Sequence, residues 1–163
     1  MKEIEHKFLV ITDDYRRSAL KKTPIEQGFL NTDPDRTVRV RLRGSKGYLT
    51  VKGRSNDSGT SRFEWEHPIS KNEAKALLSL CEPGAIKKTR FEVEYEGKLF
   101  EIDVFHEDNE GLVIAEIELE AEGEHFEKPE WLGREVTGVK RYYNSMLSKH
   151  PYSNWSEEER NGE

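Results

Sequence analysis

The chain has little cysteine: Cys81 alone among 163 residues. An internal disulfide and a cysteine-built metal cage are therefore excluded. No apolar run is long enough to span a bilayer. No targeting segment is expected either, because Met1-Lys2-Glu3 leads straight into an alternating pattern. A surplus of cations is also missing. Against 26 Lys and Arg stand 32 Asp and Glu, a net charge of −6, which argues against general nucleic-acid binding. Apolar residues are scarce at 34%, fewer than the 36% that carry charge. Such a balance can mark disorder, but the aromatics are too many and the apolar alternation too regular for that. The remaining explanation is that charge is also placed inside. The expectation is a cytoplasmic, single-domain protein with a real core and no membrane or nucleic-acid partner.

What is present is charge sorted by strand. Glu3, Glu5 and Lys7 fall at i, i+2 and i+4, with Ile4 and Phe8 between them. In a strand these three share one face. Neighbouring carboxylates on that face lie about 7 Å apart and repel unless a cation stands between them. The layout recurs as Arg39/Arg41, Glu64/Glu66, Lys88/Arg90 and Glu116/Glu118. Five such strands suggest a cavity for a highly charged ligand.

Strands are expected over residues 2–11, 25–31, 36–43, 48–53, 61–69, 85–95, 98–106 and 112–121. Ser70-Lys71-Asn72-Glu73 is a capping box opening a helix that buries Ala74, Leu77 and Leu78. Amphipathic helices are also expected over 13–22 and 138–148. Residues from Pro151 onward read as a mobile tail, giving a domain of residues 1–150 and a tail of 151–163. Turn lengths predict two registers. Around residues 44–47, Arg43 should face Tyr48, which sets Arg39 opposite Lys52. Around Glu96-Gly97, Tyr95 should face Lys98, which sets Arg90 opposite Asp103. Cys81, Trp65 and Trp131 read as packing residues. His6 falls on the face opposite Glu5.

An ordinary antiparallel sheet would put its apolar face inside and its charges in water. Surfaces normally intersperse signs, however, whereas here like charges stack within strands. The helices also need apolar surface to cover. Together these predict a mainly β (α+β) fold: an eight-stranded antiparallel closed barrel, a tunnel, with a charged lumen and a few helices packed outside. Arg and Lys from facing strands suit phosphate oxygens. Clustered carboxylates suit Mg²⁺ or Mn²⁺. A ligand needing both is a metal–polyphosphate chain.

The Glu-x-Glu-x-Lys of Glu3, Glu5 and Lys7 resembles the signature of the CYTH superfamily, the triphosphate tunnel metalloenzymes. Val38-Arg39-Val40-Arg41, Leu49-Thr50-Val51-Lys52, Phe63-Glu64-Trp65-Glu66, Lys88-Thr89-Arg90-Phe91, Ile102-Asp103-Val104-Phe105 and Ala115-Glu116-Ile117-Glu118 resemble family motifs in the same order, as do Glu135-Val136-Thr137-Gly138 and Arg141-Tyr142-Tyr143-Asn144. The similarity is strongest to small bacterial members and covers about residues 1–150. It implies an eight-stranded tunnel that binds a triphosphate with divalent metal. By position, Lys7, Arg39, Arg41, Lys52, Lys88 and Arg90 would hold phosphate oxygens. Glu3, Glu5, Glu64, Glu66, Glu116 and Glu118 would hold metal, with Asp103 in support. Glu3, Glu5 and Lys7 are the catalytic candidates, Lys7 as a phosphate contact rather than a base. Two departures stand out. Many small bacterial relatives have Gln-Gly-Tyr where this chain has Gln27-Gly28-Phe29, and Val139 stands where an Asp often follows Val-Thr-Gly.

The expected activity is hydrolysis of inorganic tripolyphosphate to pyrophosphate and phosphate, by a monomer or homodimer. The alternatives are a nucleotide or thiamine triphosphatase, a class IV-like adenylyl cyclase, or a non-catalytic polyphosphate-binding module.

Overall fold

The structure is a computed structural model that describes residues 2–162; Met1 and Glu163 lie outside the described residues. Its strands are β1 (Lys2–Val10), β2 (Ala19–Asn31), β3 (Arg36–Arg43), β4 (Lys46–Gly53), β5 (Ser61–Ile69), β6 (Ile86–Tyr95), β7 (Lys98–Phe105), β8 (Val113–Glu118) and β9 (Leu132–Glu135). Eight of them run in the order β5-β4-β3-β2-β6-β7-β8-β1, and β1 pairs back onto β5 to close the ring. Neighbours are antiparallel throughout. The ring is the expected barrel. β9 adds to it: β5 covers β1 at Lys2–Ile4, and β9 takes over at Phe8 and Val10. Its Leu-Gly-Arg-Glu sequence is too short to show a period of two, so pattern alone does not reveal it.

The β6–β7 hairpin has the register its turn length predicts, with Arg90 opposite Asp103. The β3–β4 hairpin is tighter than expected. Arg43 pairs with Lys46, which sets Arg41 opposite Tyr48 and Arg39 opposite Thr50 rather than Lys52. The loop is the two residues Gly44-Ser45, and Gly44 takes φ +60, a conformation that two-residue hairpins favour at this position. A slip of two residues keeps each side chain on its face. Arg39, Arg41 and Lys52 therefore still share the inner wall.

The apolar faces point outward, as the alternation predicts, but their covering differs. The helix α1 (Lys71–Leu78) opens on the expected capping box, with Ser70 and Glu73 bonded reciprocally at 2.9 and 3.0 Å. It buries Ala74 completely and Leu77 and Leu78 partly. It lies against β3 and β4 at van der Waals distance because β4 offers Gly47, whose added Cβ would stand 2.8 Å from that of Ala74. No helix forms over 13–22. Asp14–Ser18 is a 3₁₀ turn, and residues from Ala19 on already pair with β6. Thr23 precedes Pro24 and is thereby held extended, and the ladder with β6 outweighs helical propensity. The outer face of β1, β6, β7 and β8 is covered instead by Tyr15, Phe126 and Trp131, which pack on Phe8, Phe91, Phe100 and Ile117. Trp65 is not a packing residue in the way Trp131 is: it lies 36% exposed on the outside of β5.

A second apolar cluster lies inside the barrel. Phe105 is paired with Lys88 and Ile114 with Asp103, so these apolar residues share the charged face. With Phe29 and Ile86 they pack against Tyr142, Leu147 and Trp155 and plug the bore. The single helix expected over 138–148 is broken to make this plug. It becomes a 3₁₀ turn over Lys140–Tyr142 and a short helix α2 (Asn144–Leu147), with Tyr143 extended between them. The tail is not loose either. Trp155 is 5% exposed with its ring 5.1 Å from that of Tyr142, and a capped helix α3 (Glu157–Arg160) follows. Among the described residues no helix is long and apolar enough to cross a membrane.

Candidate active site

The inner faces enclose a cavity of about 240 Å³. Lys7, Arg39, Arg41, Lys52, Lys88 and Arg90 all line it, and so do Glu3, Glu5, Glu64, Glu66, Glu116 and Glu118. The strand alternation thus brings together every residue that the resemblance assigns to phosphate or metal. Asp103 shares the inner face but is buried, 1% exposed, and does not line the cavity. It holds Arg90 by two bonds, Nε to Oδ1 at 2.8 Å and Nη2 to Oδ2 at 2.9 Å, and Lys88 at 2.7 Å. Its part is to fix two cations, as a supporting residue.

Other lining residues escape the sequence reading. Arg62 and Glu101 each stand two positions from a named candidate, Glu64 and Asp103, and alternation alone would have found them. Arg43 is not one of these: its place on the charged face of β3 makes it legible as a site or rim residue, and it sits in the wall, paired with Glu92 at 3.3 Å. Tyr143, Asn144 and Ser145 reach the cavity because the expected helix is broken there, which no periodicity signals. Arg141 does not line it; its guanidinium lies over the rings of Tyr142 and Trp155. His6 is on the outer side, bonded to Glu135 at 2.7 Å.

Charge compensation inside is local. Lys7 donates to Glu116 at 2.8 Å and lies 3.4 Å from Glu5. Lys52 donates to Glu3 at 2.9 Å. Glu66 stands 3.6 Å from Arg39 and 3.7 Å from Arg41. Burial works against the Lys7 ammonium, yet Glu116 and Glu5 outweigh it and raise its pKa, so Lys7 keeps its proton. Burial, and then Arg39 and Arg90, push Arg41 down to about 9. At neutral pH it remains a cation, crowded by its own kind. Arg39 and Arg41 each have a buried Nε without a partner.

The carboxylates form an all-oxygen donor set of the kind hard divalent cations take. Burial pushes the Glu5 carboxyl up, and Glu116 and Glu3 push it further against the opposing pull of Lys7 and Lys52. Glu118 is raised by burial and by Glu3 and Glu5. Carboxylates that raise one another in this way are relieved by a cation among them. Among the described residues no three such donors already converge on one point. Glu3 and Glu5 each lie beside a lysine instead, and a ligand cation would displace that contact. The residues fit a divalent metal ion.

The CYTH domain family model matches residues 1–151. The chain is 51% identical to the inorganic triphosphatase of Acetivibrio thermocellus, over 96% of this chain and 99% of that protein. It is 36% identical to the inorganic triphosphatase of Nitrosomonas europaea, over 91% and 97%. Among solved structures, it resembles the crystal structure of the inorganic triphosphatase NE1496 with a TM-score of 0.65 at 34% identity, covering 90% of this chain and 93% of that one.

Proposed function

Because the chain belongs to the CYTH family, we propose that it hydrolyses inorganic tripolyphosphate to pyrophosphate and phosphate, using Mg²⁺ or Mn²⁺ held by carboxylates of the bore. The observation that carries this reading is the cavity itself: Lys7, Arg39, Arg41, Lys52, Lys88 and Arg90 converge with the glutamates in one enclosed volume of about 240 Å³. A compact polyanion matches such a wall in size and charge.

Arg39, Arg41 and Arg90 hold non-bridging phosphate oxygens from the cavity wall. Lys7, fully charged, stabilises negative charge that builds on the transferring phosphoryl group and on leaving pyrophosphate. Glu3, Glu5, Glu64, Glu66, Glu116 and Glu118 would hold a divalent ion, which would supply Lewis-acid neutralisation of phosphate charge and make water more acidic. Water oxygen bonds to a terminal phosphorus, the bridging P–O bond breaks, and pyrophosphate leaves with its electron pair. Phe29 lines the cavity but has no proton to exchange. Glu3 or Glu5, on the same wall, orients the attacking water, whose proton passes to solvent.

Purified protein with tripolyphosphate and Mg²⁺ or Mn²⁺ should release phosphate well above background. Turnover of ATP or thiamine triphosphate with no release from tripolyphosphate would reject the substrate. The reading includes a cytoplasmic monomer or homodimer, which sedimentation and cell fractionation test.

A further inference from the structure

At the plugged end of the bore, three side chains from three separate elements meet. Lys88 Nζ and Gln27 Nε2 both donate to Asn144 Oδ1, each at 3.2 Å. Lys88 is 2% exposed and Gln27 is 0% exposed. A lysine ammonium only donates, so the oxygen of the Asn144 amide is the end that faces it. With Oδ1 occupied twice, the amide orientation is fixed. Asn144 also lines the cavity, and its Nδ2 is not among the buried polar atoms that lack a partner. Among the described residues Nδ2 donates to no other group, so its two protons remain for a ligand in the cavity that Asn144 lines. Asn144 sits on the segment where a single helix is expected and where the chain breaks at extended Tyr143. The break is what delivers the amide to the bore.

We propose that Asn144 is a substrate-binding residue: its Nδ2 donates to an oxygen of the end phosphoryl group lodged against the plug, while its Oδ1 holds the Lys88 ammonium against that same group. The inference rests on the triphosphate reading and deepens it by naming the subsite for one chain end. A neutral amide suits this place. It accepts from the ammonium without neutralising it, as a carboxylate would, and still offers a donor to the anion. The Gln27 amide is locked in turn. Its Nε2 is committed to Asn144, and its buried Oε1 is left without a donor.

The test is calorimetric titration of the full chain with tripolyphosphate, in Mg²⁺ and in chelator, for wild type, Asn144→Ala, Asn144→Asp and Leu147→Ala, each with a thermal melt. Hydrogen bonds to charged groups contribute about 1.5–3 kcal/mol, so Asn144→Ala should weaken binding roughly ten- to a hundredfold. Asn144→Asp should weaken it further, because its carboxylate repels the phosphate and neutralises Lys88. Leu147→Ala loosens the plug without touching the cavity, and should lower the melting temperature with affinity changed less than threefold. If Leu147→Ala weakens binding as much as Asn144→Asp, or if both Asn144 variants bind within twofold of wild type, the proposal is overturned. Should the Asn144 variants fail to fold, the wild-type side-chain amide resonances of Asn144 decide. They should move on addition of tripolyphosphate, and their standing still at saturation refutes the contact. Wild type that binds but does not hydrolyse leaves this subsite standing and removes the hydrolase reading. Wild type that hydrolyses while Asn144 proves indifferent does the reverse.

Discussion

Single side chains in the bore are held under opposed forces, and that separates their effect on activity from their effect on stability. Arg41 is buried among Arg39, Arg43 and Arg90, with Glu66 as its nearest anion. Arg41→Ala should lower kcat/KM for tripolyphosphate by about 10²–10³, the scale for losing one preorganised charge donor. Its thermal stability should stay level or rise, because the crowding is relieved. Parallel steady-state kinetics and melts measure both. Asp103 behaves oppositely. Asp103→Asn leaves Arg90 and Lys88 without their shared anion and should cost about 3–5 kcal/mol of unfolding free energy, read by denaturant titration.

Lys88 gives a pH signature. Burial lowers its pKa to about 8 from an ordinary 10.5, only partly offset by Asp103. Between those values the unfolded chain binds a proton that the folded chain has released. Stability from this group therefore rises with pH across that window, and below about 8 the full cost of the buried charge is present. Denaturation midpoints at pH 7.5 to 10 should climb more steeply in wild type than in Lys88→Met. Tripolyphosphate affinity should move the other way, falling above pH about 8 as the ammonium is lost. Equal slopes for the two proteins would contradict the assignment.

At the scale of elements, the site is legible wherever it rides on strands. Arg39, Lys88 and Glu116 are fixed by alternation, and a register error of two residues in the β3–β4 hairpin left their face unchanged. Segments whose form depends on distant partners are not legible. Residues 13–22 carry a helical pattern, yet ladder bonds to β6 draw the last four of them into β2. Residues 138–148 carry another, and the need to seat Tyr142 and Leu147 in the barrel end breaks it. Asn144 was hidden for that reason. The α1 docking is written in glycines that only the assembled layers explain. Gly47→Ala would set a methyl 2.8 Å from the Ala74 Cβ and 2.9 Å from the Ser70 carbonyl oxygen. It should cost about 1–3 kcal/mol by overpacking, with α1 lifted from the sheet. A urea midpoint unchanged from wild type would show that the contact yields freely.

For the whole molecule, polar and apolar layers are inverted relative to an ordinary sandwich, and that inversion was visible in the sorting of charge along the strands. The plug was not, because Phe105 and Ile114 each stand alone among charged inner-face residues, and only the fold brings the carboxy-terminal rings of Tyr142 and Trp155 to them and to Phe29. Trp155→Ala should cost about 3–5 kcal/mol, a loss that a mobile tail would not give. A metal effect is also expected of the whole barrel. Mg²⁺ should raise the melting temperature by relieving Glu5 and Glu118, and Glu5→Gln should shrink that gain.

Closure of the ring sets a timetable for biosynthesis. β1 is made before β8, and Lys7 is 109 positions away from Glu116, its partner across β8. A nascent chain thus carries β1 unpaired on its β8 side until that strand is made. Such distant pairing makes for slow maturation. Chaperone dependence in the cell should track the delay before β8 and β9 leave the exit tunnel.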